Sequence, residues 1–114
     1  MKLKDIVSRI RIDPRKLTHY ALDPKSPRGK DKAILFEKSL GFTIDNYADL
    51  IYQLETKSLE TQVTFHSEDE FGKRYTADVS IEGIEGQQAT VRTGWIVSSY
   101  SDEARLATIF VIKR

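Results

Sequence analysis

The 114 residues, 39% hydrophobic and 31% charged, have the balance of one small folded domain and exclude a disordered or membrane-spanning chain. The absence of cysteine excludes disulfides, thiolate metal sites and a cysteine nucleophile. The net charge of +1 argues against a nucleic-acid coat protein, but its distribution is uneven: residues 1–32 hold ten Lys/Arg against four Asp/Glu, a net +6, and residues 33–114 hold eight against thirteen, a net −5.

The N-terminal third is therefore a candidate electropositive surface for a polyanion or an acidic partner, with a solvated helix face as the plainer alternative. Its opening, MKLKDIVSRIRID, is broken by charges every two or three residues and lacks the apolar run of a signal peptide. No later stretch approaches membrane-spanning length, so a cytoplasmic location is expected, with no membrane partner. A toxin exported by another route would read the same way.

The structure of residues 1–12 stays open: Leu3, Ile6, Val7 and Ile10 have helical spacing, but Ile12 breaks it. Asp13 followed by Pro14 is an N-cap and first-turn signal for a helix of about two turns through Ala21. Two prolines and a glycine in Asp23–Gly29 then forbid regular structure, leaving a loop with three positive charges when Lys30 is included. From Lys30 to Leu40, Ala33, Phe36 and Leu40 share a helical face, and Gly41 supplies the stop. A further helix runs from near Asp45 to near Lys57, where Tyr47, Leu50, Ile51 and Leu54 match the helical template.

Beyond it the apolar period changes to two. Val63 and Phe65 mark a first strand, and a polar turn spans Ser67–Gly72. Tyr75, Ala77, Val79 and Ile81 alternate with polar residues in a second strand. Val91, Thr93, Trp95 and Val97 form one face of a third, and Arg105 to Lys113 is the last. Short connections make a four-stranded antiparallel meander, with helices on its apolar face, the economical topology of a single α+β domain spanning residues 1–114. That register sends Tyr75, Val79, Val91, Trp95, Leu106 and Phe110 toward the helix from Asp45.

The chemistry-bearing residues are few. His19 and His66 are the only histidines, and neither belongs to a spaced metal-ligand set, so no metal is expected. No phosphate-binding glycine loop is present, and Gly83-x-x-Gly86 reads as a hairpin turn, so no cofactor is expected. What remains is a set of His, Lys, Arg, Thr and Tyr. Such a set can cleave RNA, because the ribose 2′-hydroxyl is the nucleophile and the protein need only move protons and steady the charge on phosphorus. His19 lies in the basic segment and is a candidate for proton transfer. Arg92 could grip a phosphate with its fork or pair with Asp78 on the neighbouring strand. Thr93 and Thr108 both fall in phase with large apolar residues, and Trp95 continues the core register of its strand.

Several segments together resemble a known bacterial domain. They are Lys16-Leu17-Thr18-His19-Tyr20-Ala21-Leu22, Pro27-x-Gly29-x-Asp31-Lys32-Ala33 with Phe36, Leu40-Gly41-Phe42, Arg92-Thr93-Gly94-Trp95-Ile96, and Arg105-Leu106-x-Thr108. That domain is uncharacterised and occurs at the C-termini of polymorphic and contact-dependent toxins and as short stand-alone proteins. The order of elements is also similar to the BECR superfamily of barnase, EndoU, colicin and RelE-like toxins, mostly metal-free ribonucleases. The resemblance implies RNA cleavage by Lys32, Arg92, Thr93 and Thr108, to which His19 is added from the reading of the residues alone. Lys16, Tyr20, Arg28, Lys30 and Arg74 are the candidate substrate-binding residues. The implied function is a metal-independent ribonuclease toxin, with an RNA substrate and a small acidic antitoxin or immunity protein as partners. The other reading is a non-catalytic protein-interaction module that uses the basic segment and the sheet.

Overall fold

A computed structural model describes residues 1–112, in which two α-helices and a five-stranded mixed sheet share one hydrophobic core. The elements are β1 (Arg9–Arg11), α1 (Lys30–Leu40), α2 (Tyr47–Lys57), β2 (Val63–Asp69), β3 (Gly72–Glu82), β4 (Gln88–Val97) and β5 (Glu103–Val111). Their order across the sheet is β1-β5-β4-β3-β2. β2 to β5 form the expected antiparallel meander. The expectation of four strands is corrected by β1, which pairs in parallel with the start of β5 through Ile10 and Ala104. The stretch of the last strand expected at Lys113 lies outside the described residues.

Contacts remote in sequence tie β1 down. Leu3 and Val7 are buried, the Ser8 backbone and hydroxyl both donate to the Asp102 carboxylate, and Arg9 Nε pairs with Glu103 at 3.1 Å. A strand of three residues held by a partner over ninety positions away carries no local periodic signal.

The start signal at Asp13 is used as expected, since its carboxylate accepts the Arg15 backbone N–H at 3.0 Å. The segment does not continue as an α-helix. Leu17–Ala21 winds as a π-helix, with Leu22 N donating to Leu17 O at 2.8 Å. The wider turn buries Leu17 and Ala21, leaves Lys16 and His19 exposed and half-buries Tyr20. Gly29 fits directly beneath it, because a Cβ there would collide with the Tyr20 carbonyl oxygen. α1 then buries Ala33, Phe36 and Leu40, as its spacing requires, and stops at Gly41. A 3₁₀ turn at Ile44–Asn46, capped by Thr43, leads into α2, which buries Leu50 and Leu54.

β3 and β4 pair in regular register from Lys73 opposite Val97 to Glu82 opposite Gln88. Their inner face, including Tyr75, Val79, Val91 and Trp95, merges with the buried helix residues. Their outer face carries Arg74, Thr76, Asp78, Arg92 and Gly94 and is half-exposed or exposed.

Two irregularities break the flanking strands. On β2 the pairing shifts between Phe65 and Ser67, leaving His66 as an extra residue. On β5 it shifts opposite Gly94 and Trp95, leaving Ala107 as the extra one. Both are β-bulges, which re-aim the side chains beyond them. Ala107 thereby corrects the expected register of β5: Leu106, Ile109 and Val111 are buried, whereas Phe110 turns to the outer face with Thr108. The turn expected over Ser67–Gly72 also contracts to Glu70 and Phe71, because β2 runs on to Asp69.

Candidate functional site

The outer face of the sheet has an open cavity of about 390 Å³ whose walls include His66, Arg74, Arg92, Thr108 and Phe110. The bulges at His66 and Ala107 stand at its opposite sides, on β2 and β5. Arg92 projects from the outer face of β4 beside Asp78 of β3, to which it donates from Nε at 2.8 Å and from one terminal nitrogen at 3.0 Å. This fork holds the Asp78 carboxyl below its ordinary range. Both partners are over 40% exposed, and such pairs contribute at most about 1 kcal/mol, so the pair orients the guanidinium more than it stabilises the fold. The three N–H bonds not directed at Asp78 can serve an anion. Arg74 is held similarly by Asp69, Nε to Oδ2 3.0 Å.

Thr108 faces Gly94 across the β4–β5 pair, and a Cβ at Gly94 would collide with the Thr108 hydroxyl oxygen. The glycine of the Arg-Thr-Gly-Trp segment thus provides the space in which Thr108 sits, exposed on the outer face. Thr93 does the opposite. Fully buried, its hydroxyl donates to the Ala77 carbonyl and accepts from Trp95 Nε1, both at 2.8 Å. Thr93 supports Trp95 within the core, and although it is among the residues lining the cavity, its hydroxyl is already engaged by these two partners.

A second cavity, of about 600 Å³, is walled by Asp13, Arg15, Lys16, His19, Tyr20 and Arg28 and by the same Ala107 and Thr108 that line the first. Arg15 grips Asp13, and its hydrogen bonds lower that carboxyl to about 2. Lys16 and Arg28 form no ion pair among the described residues. His19 Nδ1 is 2.8 Å from the Thr18 hydroxyl, which leaves Nε2 uncommitted among the described residues.

Lys32 reaches this region from the first turn of α1. Its Nζ donates to the Tyr20 hydroxyl at 2.5 Å and lies 4.5 Å from the Tyr20 ring centre and 5.5 Å from that of Phe110, the cross-strand neighbour of Arg92. Lys16, His19, Tyr20 and Arg28 thus line the cavity on one side of Thr108 and Arg74 and Arg92 the one on the other, while Lys32 lines neither and touches Tyr20 of the second and the Phe110 ring of the first. Lys30 stands apart, exposed at the start of α1 and lining neither cavity.

His66 is the residue that sequence reasoning passed over. Alternation from Val63 and Phe65 already puts it on the outer face; only the pairing of β2 with β3 and the bulge carry it to the rim of the arginine cavity. Its Nδ1 lies 2.9 Å from the Ser67 hydroxyl.

Fold and site together define a mixed α+β domain with one sheet face buried by helices and the other open and lined by held arginines. The chain belongs to the family described as Domain of unknown function (DUF6883), whose sequence profile matches residues 2–113. No curated protein and no solved structure matches the chain. Among the described residues no helix is long and apolar enough to cross a membrane.

Proposed function

We propose that this domain is a metal-independent endoribonuclease of the toxin type, which makes the ribose 2′-hydroxyl of its substrate attack the adjoining phosphate. The observation that carries the reading is the meeting of Arg92, His66 and Thr108 at one open cavity, each held by its own local device: the Asp78 fork, the β2 bulge and the space above Gly94. The resemblance to toxin domains supports the same reading, and the net +6 of residues 1–32 suits an acidic inhibitor as the partner.

In this reading imidazole is the suited proton carrier near neutral pH, and His66 takes the 2′-hydroxyl proton. The 2′-oxygen bonds to phosphorus, and Arg92 and the Thr108 hydroxyl steady the charge on the non-bridging oxygens. The bond to the 5′-oxygen breaks, and that oxygen receives a proton from Lys32 or His19. The products are a 2′,3′-cyclic phosphate and a 5′-hydroxyl. Tyr20 and Asp78 act as positioning residues, through Lys32 and Arg92.

The test is induced expression in a bacterial host with growth and total RNA followed together, then incubation of the purified protein with that RNA in EDTA. Growth arrest with metal-independent cleavage leaving cyclic phosphate ends is expected. A protein that neither slows growth nor cuts RNA, freed of any inhibitor, overturns the reading in favour of the interaction module. The engagement of Arg74 and Arg92 by Asp69 and Asp78 fits that second reading too, since it satisfies both cations without a ligand.

A further inference from the structure

The two cavities differ in how their cations are held, and they meet at a single residue pair. In the first, both arginines are ion-paired, to Asp69 and Asp78. In the second, Lys16 and Arg28 have no acidic partner among the described residues, and the one acid in its wall, Asp13, is held by Arg15. Ala107 and Thr108 form the wall common to both. We infer that the site takes unpaired RNA, with one nucleotide in the arginine cavity, the scissile phosphate at Thr108, and the next phosphate of the strand on Lys16 and Arg28. This rests on the ribonuclease reading and deepens it.

Volume argues for a single strand. Openings of about 390 and 600 Å³ lie within the range of about 300–1,000 Å³ that holds one small ligand each. A duplex keeps its bases stacked inside and could offer such openings only its backbone, whereas an unpaired strand can place a splayed base in each. The rings of His66 and Phe110 at the first cavity offer stacking surfaces, which suit any base. Charge argues for the direction of labour. Arginines already held by carboxylates are oriented for the reacting phosphate. Unpaired Lys16 and Arg28 gain more from a second phosphate, because nothing in the described protein neutralises them.

The test measures binding of a fluorescent single-stranded oligoribonucleotide, 2′-O-methylated so that it cannot be cut, against the same strand annealed to its complement and against polyglutamate. Tight binding of the single strand and at least tenfold weaker binding of the duplex are expected. The double variant Lys16→Glu, Arg28→Glu should lose at least tenfold in affinity. Its salt dependence should flatten by at least about 0.7 in log–log slope, the contribution of one single-strand phosphate contact. The thermal midpoint should stay the same, since neither side chain has an ion pair among the described residues.

Equal binding of duplex and single strand, full affinity in the double variant, or equal competition by polyglutamate each overturns the inference. Cleavage is scored separately on the unmodified strand. Tight single-strand binding without cleavage sinks the nuclease reading and leaves the binding site standing. Cleavage by the double variant with an unchanged KM sinks the subsite alone.

Discussion

The two faces of the sheet are built from alternate residues of the same strands, yet they have divided the work. Thr93 and Thr108 show the division best, since they carry the same hydroxyl on adjacent strands. Thr93 spends its hydroxyl on Ala77 and Trp95 inside the core. Thr108 stands exposed over Gly94, between two cavities. The lesson is that a polar side chain in a strand is committed to the core or left open to a ligand by the side it faces. On β5 that side is decided by one bulged alanine.

Substitutions on the two faces should therefore fail in different ways. The largest effect is expected on the covered face: Trp95→Ala should cost about 3–5 kcal/mol in urea or thermal unfolding, enough to threaten a domain of this size. Retention of full stability would show that the helices do not pack on Trp95 as described. On the open face, Arg92→Ala and Lys32→Ala should lower cleavage about a hundredfold to a thousandfold while the thermal midpoint barely moves. His66→Gln should lower cleavage about a hundredfold, far more than it weakens RNA binding, and unchanged cleavage would return the proton transfer to His19 or Lys32.

The threonine pair sharpens the contrast. Thr93→Val leaves the Trp95 indole N–H and the Ala77 carbonyl without this partner, and should destabilise by about 1–3 kcal/mol. Thr108→Val should change stability by less than about 0.5 kcal/mol and reduce cleavage instead. Equal stability losses in the two variants would break the comparison.

The smallest expected effect concerns Asp13, which Arg15 holds at about 2, below the ordinary 3.8 of an aspartate. Because the carboxyl gives up its proton more readily in the folded state, its contribution is complete above about pH 4. It is lost as the pH falls through about 2. Asp13 is an exposed group, so the shift in stability should be slight, and Asp13→Asn should remove it. A native-state NMR titration of Asp13 at its ordinary value would sink the Arg15 clamp.

Local pattern made much of the covered face legible. The period of α1 and α2, the stop at Gly41 and the alternation of β3 and β4 matched the burial found, because each signal lies within a dozen residues. The pairing of Arg92 with Asp78 was also readable, since a single hairpin links their strands. The same reasoning misplaced Phe110, because strict alternation cannot show where a strand takes an extra residue. It placed a helix ending at Ala21 but not its π form, because the start signals of α- and π-turns are shared, and the burial of Leu17 and Ala21 comes from the tertiary packing.

By itself, the sequence determined the α+β class, the two helices, the antiparallel meander and the concentration of positive charge in residues 1–32. These follow from composition and short-range periodicity, which the chain carries wherever it goes. Tertiary structure alone decided that residues 9–11 join the far edge of the sheet and that Thr93 is a core residue. It also decided that His66 reaches Arg92's cavity and that Thr108 separates two cavities. Each of these depends on strand register, bulges or contacts between distant segments, and a change of one residue in register turns every following side chain to the other face.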